Sequence, residues 1–194
     1  MTGNRSSKND QVLLCPLCES DMSKLISIVV PVYNSSAFLH KTVKAIEEQR
    51  RQSGWDLELI MIDDGSKDDT FTKVEELSGQ FDYIRGIKLS RNFGHQAAVR
   101  TGLVFCKGDC VAIIDDDLQD PPSLLPGFFK YLDDGYDVAY GERRKRKESL
   151  VKKVSYRLFY RLLRQLSSTD IPLDSGDFCV MTKRVVENIL KLPE

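Results

Sequence analysis

Five short apolar runs, at residues 25–32, 57–62, 83–89, 111–114 and 136–140, alternate with segments whose apolar residues recur at helical spacing. No other feature limits the fold so strongly. Strands separated by helices cannot close as hairpins, so they pair in parallel while the helices fold back over both faces. The expectation is an α/β fold with a doubly wound, mostly parallel sheet flanked by helices. Between the strands, Ser35 or Ser36 is expected to cap a helix that runs to about Gln52, with Leu39, Val43 and Ile46 on one face. An Asp cap is expected before a helix from Thr70 to Leu77, and Gln96–Phe105 and Leu124–Asp133 read as two more.

In open sheets of this kind, ligands bind beyond the carboxyl ends of the strands. The unusual polar residues collect there: Tyr33-Asn34 after the first run, Asp63-Asp64-Gly65 after the second, Arg91 to His95 after the third, and Asp115-Asp116-Asp117 after the fourth. The acidic triplet is the sharpest of these. Three anions at the tip of a hydrophobic strand repel one another and lose hydration, and a hard divalent cation with oxygen ligands relieves both costs. Along a strand alternate residues face the same way, so Asp115 and Asp117 can converge on one ion while Asp116 points elsewhere. Gln119 could add a neutral oxygen, and Pro121-Pro122 stiffens the exit. A Mg²⁺ held by few carboxylates keeps positions open for waters and substrate phosphates. A solvated acidic turn is the plain alternative for one such triplet. Four polar clusters on one sheet edge favour a binding site.

The chain of 194 residues suits one domain, and 41% hydrophobic with 29% charged residues is ordinary for a globular core. Net charge is only −1, but ten basic residues and one acidic residue fall between Arg143 and Arg164. Within this stretch Val151, Val154, Leu158, Leu162 and Leu166 recur at helical spacing. Residues 142–166 therefore read as a basic amphipathic segment lying on an anionic membrane surface, or as a core-packing helix with a solvated basic face. No aromatic residues interleave with these cations in a nucleic-acid-binding pattern, so no nucleic acid is expected. Five cysteines, an odd number, fit a reducing compartment better than a disulfide framework, and Cys15-Pro-Leu-Cys18 lacks the second pair a zinc site needs. Residues 1–21 are polar, without periodicity, and are expected to be disordered, with the structured domain at 22–194. No signal peptide or membrane-spanning run is evident in the sequence.

Four segments carry a resemblance: Val29-Val30-Pro31-Val32-Tyr33-Asn34, Ile62-Asp63-Asp64-Gly65-Ser66-Lys67-Asp68, Ser90-Arg91-Asn92-Phe93-Gly94-His95-Gln96, and Asp115-Asp116-Asp117-Leu118-Gln119-Asp120-Pro121. Together they resemble glycosyltransferase family 2, and more narrowly its polyprenyl-phosphate glycosyltransferases, over about Leu25 to Pro193. The resemblance implies a GT-A fold with a Rossmann-like nucleotide-binding half. It implies a metal-dependent, inverting transfer of a hexose from a nucleotide sugar, UDP-glucose-like, to a polyprenyl phosphate. Pro31, Tyr33, Asn34, Asp63 and Asp64 would line the nucleoside pocket, while Arg91, Asn92 and Gly94 would approach the ribose-diphosphate. Asp115, Asp117 and Gln119 would place Mg²⁺ or Mn²⁺ on the diphosphate, with Asp116 standing where relatives often have Ala. On the acceptor side, Asp177 in Asp174-Ser175-Gly176-Asp177-Phe178-Cys179 would be the base or acceptor-orienting carboxylate, and Arg143 would face the acceptor phosphate. Asp177, Asp117 and Arg143 would form the catalytic set. Relatives commonly carry Arg where this chain has Cys179, and a neighbouring Arg would have to supply any phosphate contact. The other reading of Asp177 is a cap on a helix from Val180 to Leu190. Relatives commonly continue into transmembrane helices, and the implied location is the cytoplasmic face of a membrane. A soluble glycan acceptor, another lipid acceptor or a non-catalytic nucleotide-sugar scaffold are the alternatives. A homo-oligomer is compatible with the sequence, which does not set the oligomeric state.

Overall fold

The computed structural model describes residues 24–142 and 175–192. The expectations for residues 1–21, Cys15 and Cys18, Arg143, the basic stretch to residue 166 and the side chain of Asp177 lie outside the described residues. In chain order the elements are β1 (Leu25–Val32), α1 (Leu39–Ser53), β2 (Asp56–Asp63), α2 (Thr70–Gln80), β3 (Ile84–Lys88), α3 (His95–Phe105) and β4 (Cys110–Ile113). A 3-10 turn (Pro122–Leu124) leads into α4 (Leu125–Asp133), followed by β5 (Val138–Glu142), β6 (Ser175–Thr182) and α5 (Lys183–Lys191).

One sheet of order β3-β2-β1-β4-β6-β5 forms the centre. β1 pairs in parallel with both β2 and β4, and β2 pairs in parallel with β3. Each central strand is apolar on both faces because helices cover both. Ile26, Ile28, Val30, Leu57, Leu59 and Met61 enter one core. Val29, Ile60 and Ile62 enter the other, with Ala98 and Leu103 of α3 and Val186 of α5. That is the doubly wound sheet expected from the alternation.

The exception is β6. The sequence reading has a helix over Val180–Leu190; the structure has a strand to Thr182 and begins the helix at Lys183. β6 lies antiparallel between β4 and β5. Its side chains show why: Phe178 and Val180 are buried in the first core, while Cys179 and Met181 pack into the second. Period-two burial on both faces is a strand signature, and it outweighs the helical spacing that continues from α5.

One cap differs from expectation: Phe38, not Ser35 or Ser36, precedes α1, with no side-chain cap. At α2 the N-cap residue is an Asp, Asp69, as expected, and the neighbouring Asp68 Oδ1 accepts the Thr70 N–H. The serines are used instead in the turn that follows β1.

α3 rests on the sheet at Gly102, where an added Cβ would lie 2.2 Å from Val29 Cγ1. Gly102→Ala is expected to lower the unfolding free energy by about 1–2 kcal/mol, because overpacking of roughly 1–3 kcal/mol exceeds the helix-propensity gain of alanine. Urea denaturation checks this, and an unchanged midpoint would mean that α3 can ride outward without loss.

Candidate active site

Because β1, β2, β3 and β4 are parallel, their carboxyl ends define one edge of the sheet. β6 is antiparallel to β4, so its first residues, Ser175 to Asp177, arrive at that same edge. The backbone of the expected acceptor-side segment therefore comes to the edge that carries the acidic triplet.

Pro31 is buried in β1 opposite Ile62, and Tyr33 beyond it is 42% exposed. Asn34, in the left-handed region at φ 50°, ties this turn to the one after β2. Its Oδ1 accepts the Lys67 N–H at 2.9 Å, and its own N–H donates to Ser66 Oγ at 2.9 Å. The carboxylate of Asp63 is completely buried. Its Oδ1 accepts both the backbone N–H of Ser66, at 3.1 Å, and the Ser66 hydroxyl. Its Oδ2 is buried with no hydrogen-bond partner among the described residues. An unmatched buried carboxylate oxygen is costly until a donor reaches it.

Asp64, also buried, faces the protein. Its two oxygens accept the N–H groups of Phe93, at 2.8 Å, and Gly94, at 2.9 Å. It secures the loop that presents Arg91 and Asn92. Gly65 makes that contact possible: at φ 69°, an added Cβ would stand 2.4 Å from the carbonyl carbon of Arg91. Arg91 and Asn92 are exposed, and the Arg91 guanidinium lies 4.8 Å from the centre of the Phe93 ring. The loop thus offers a cation, an amide and an aromatic face to the edge.

β4 ends at Ile113, and Asp115, Asp116 and Asp117 occupy a turn, not a strand continuation. Strand alternation therefore does not set their directions. Asp117 is exposed and its Oδ1 accepts the Gln119 N–H at 3.0 Å, across Leu118 at φ 58°. Asp116 turns inward. Its Oδ2 is buried without a partner among the described residues, and burial pushes its carboxyl above the ordinary carboxylate range, opposed by the Ser35 hydroxyl. Among the described residues no group of three or more acidic, His or Cys side chains is arranged to hold a metal by protein ligands alone. Asp115, Asp117 and Gln119 form an all-oxygen set that suits a hard cation sharing its coordination with waters and ligand phosphates.

The sequence reading missed the hydroxyls that tie this edge together. Ser66 anchors Asp63, Thr70 Oγ1 accepts the Ser35 N–H at 2.8 Å, and Thr42 Oγ1 donates to the Asp116 carbonyl at 2.7 Å. Thr42 carried a faint signal, a hydroxyl among the apolar residues of α1.

A doubly wound sheet with carboxylates and a basic loop gathered at its carboxyl edge is an arrangement that can take a phosphorylated ligand together with a hard cation. The sequence profile described as glycosyl transferase family 2 matches residues 27–190, and the chain belongs to that family. The chain is 40% identical to the uncharacterized glycosyltransferase YkcC of Bacillus subtilis (strain 168), over 87% of this chain and 52% of that protein. It is 34% identical to the bactoprenol glucosyl transferase of Shigella phage SfV, over 87% of this chain and 55% of that protein. It thus spans about half the length of the curated relatives it matches. Among solved structures, the mannosyltransferase PcManGT from Pyrobaculum calidifontis, in complex with GDP-Man and Mn²⁺, superposes with a TM-score of 0.63 at 22% identity, covering 87% of this chain and 47% of that one. Glucosyl-3-phosphoglycerate synthase from Mycobacterium tuberculosis, in complex with Mn²⁺, UDP and phosphoglyceric acid, gives 0.59 at 22% identity, covering 84% of this chain and 57% of that one. These two likenesses establish the fold. No helix among the described residues is long and apolar enough to cross a membrane.

Proposed function

We propose that this domain transfers a hexose, with inversion, from a nucleoside-diphosphate sugar to a polyprenyl phosphate at the cytoplasmic face of a membrane. The observation that carries this reading is the gathering on one sheet edge of a buried Asp63 oxygen without a partner among the described residues and the oxygen-rich turn at 115–117. The 34% identity to a protein named bactoprenol glucosyl transferase supports the lipid acceptor.

In this reading Asp63 accepts an N–H or O–H of the nucleoside, and Pro31, Tyr33 and Asn34 shape the rest of that pocket. Arg91 and Asn92 approach the ribose-diphosphate from a loop that Asp64 and Gly94 hold in place. Asp115, Asp117 and Gln119 would hold Mg²⁺ or Mn²⁺, with the half-buried Asp116 turning its Oδ2 inward. Such an ion, when bound, neutralises the leaving diphosphate as the glycosidic bond breaks. A polyprenyl phosphate is already an anion near neutral pH, so Asp177 has more to do in orienting the acceptor than in removing a proton. Arg143 offsets the acceptor's charge, and an anionic membrane surface holds the basic 142–166 segment beside it.

Calorimetric titration of UDP-glucose, GDP-mannose and UDP-N-acetylglucosamine, each with Mn²⁺ and with chelator, tests the donor half. Incubation of the bound donor with polyprenyl phosphate in anionic vesicles tests the other. One donor should bind only with metal, and its sugar should appear on the lipid. Failure of all three to bind would overturn the reading, and transfer to a soluble glycan instead would overturn the acceptor.

A further inference from the structure

In the acidic turn at residues 115–117, Asp117 accepts the Gln119 N–H, and Leu118 sits in the left-handed region that a branched apolar residue rarely adopts. A turn in such a conformation persists when its surroundings over-determine it. The surroundings here come from a helix more than seventy residues earlier in the chain. Thr42, fully buried on α1, has one hydroxyl proton and two acceptors in reach, the Phe38 carbonyl at 3.3 Å and the Asp116 carbonyl at 2.7 Å. The shorter bond goes to the middle of the acidic turn. α1 also packs directly against the 3-10 turn at Pro122–Leu124, where the same loop ends.

The nucleoside side of the edge is held by a separate set of bonds. Ser66 binds Asp63, Asn34 binds Lys67, and Asp64 binds Phe93 and Gly94. Thr42 takes part in none of these. The nucleoside side thus has bonds of its own, Ser35 joins it to the Asp116 carboxyl, and Thr42 braces the backbone of the acidic turn from α1.

We infer that Thr42 is a positioning residue that fixes the acidic turn from beneath and so sets the affinity of the site for its divalent cation, without contacting cation, donor or acceptor. The inference rests on the donor site proposed above. Loss of the hydroxyl leaves the Asp116 carbonyl unpartnered and lets the turn shift away from the geometry in which Asp115 and Asp117 share an ion.

Thr42→Val keeps the shape and removes the donor, whereas Thr42→Ser keeps the donor. Free Mn²⁺ counted by electron paramagnetic resonance, with saturating UDP or GDP, measures cation affinity independently of turnover. Thr42→Val should bind Mn²⁺ about fivefold more weakly, the effect of one buried hydrogen bond. Its affinity for the nucleotide in the presence of chelator should match wild type, and Thr42→Ser should restore Mn²⁺ affinity to within about twofold. Thr42→Ala, which removes the hydroxyl without added bulk, should repeat the loss, so that a misfitting or unfolded valine variant cannot decide the outcome. Wild-type Mn²⁺ affinity in a folded Val or Ala variant overturns the inference. Equal loss of nucleotide binding with and without Mn²⁺ also overturns it, since a general packing defect would produce that. A wild-type protein that retains Mn²⁺ with neither nucleotide overturns the functional reading itself, and this inference with it.

Discussion

Asp117→Asn is expected to slow transfer about a thousandfold while leaving the urea midpoint of the domain nearly unchanged. The side chain is exposed, and the amide oxygen of asparagine can still accept the Gln119 N–H that closes the turn. Shape and local bonding therefore survive the substitution. What disappears is one unit of negative charge from a set of three oxygen donors. A cation shared between few protein ligands and a diphosphate depends on each charged ligand, and several kcal/mol of leaving-group stabilisation goes with it. Transfer assayed over a range of Mn²⁺ concentrations checks the prediction. A loss confined to low Mn²⁺ would mean that Asp115 holds the ion almost alone, and no loss at any concentration would remove Asp117 from the site.

Asp64→Ala should behave in the opposite manner, with a large cost in stability that brings the loss of donor binding with it. Asp64 is buried and accepts two backbone N–H groups, from Phe93 and Gly94. Bonds to a charged acceptor are worth roughly 1.5–3 kcal/mol each. Part of that returns when water reaches the freed amides of an exposed loop. The expected cost is about 3 kcal/mol, read from urea denaturation. Asp64→Asn keeps one acceptor but turns an NH₂ toward the other amide, so it should recover less than half of the loss. Nucleotide affinity should fall in step, because Arg91 and Asn92 ride on the same loop. If Asp64→Ala proved stable yet unable to bind nucleotide, Asp64 would have to be a direct donor contact, not the anchor of the loop.

These two aspartates show how legible the site was. Both stand out in the sequence as acidic residues after apolar strands, and both lie at the carboxyl edge of the sheet. Their different work was not visible there. Asp63 and Asp64 are neighbours in the chain, yet one keeps an unmatched buried oxygen and the other spends both oxygens on a loop about thirty residues away. The acidic triplet shows the same limit. Strand alternation would set the directions of its side chains, but β4 stops at Ile113 and Asp116 turns its Oδ2 inward. Where a strand ends depends on the neighbour it pairs with, and local composition does not record that.

By itself the sequence determined the alternation of strands and helices, the parallel core and the edge on which the polar clusters gather. These follow from periodicity, since residues two or three and a half positions apart share a face whatever else surrounds them. The tertiary structure decided the place of β6, inserted antiparallel between β4 and β5, and with it the arrival of Ser175 to Asp177 beside the acidic turn. It also decided the partners of Thr42, Ser66 and Asp64. The physical reason is common to all of these: a strand edge or a buried polar group must find a partner, but any of several distant segments could provide it. Only packing both cores at once selects which one does.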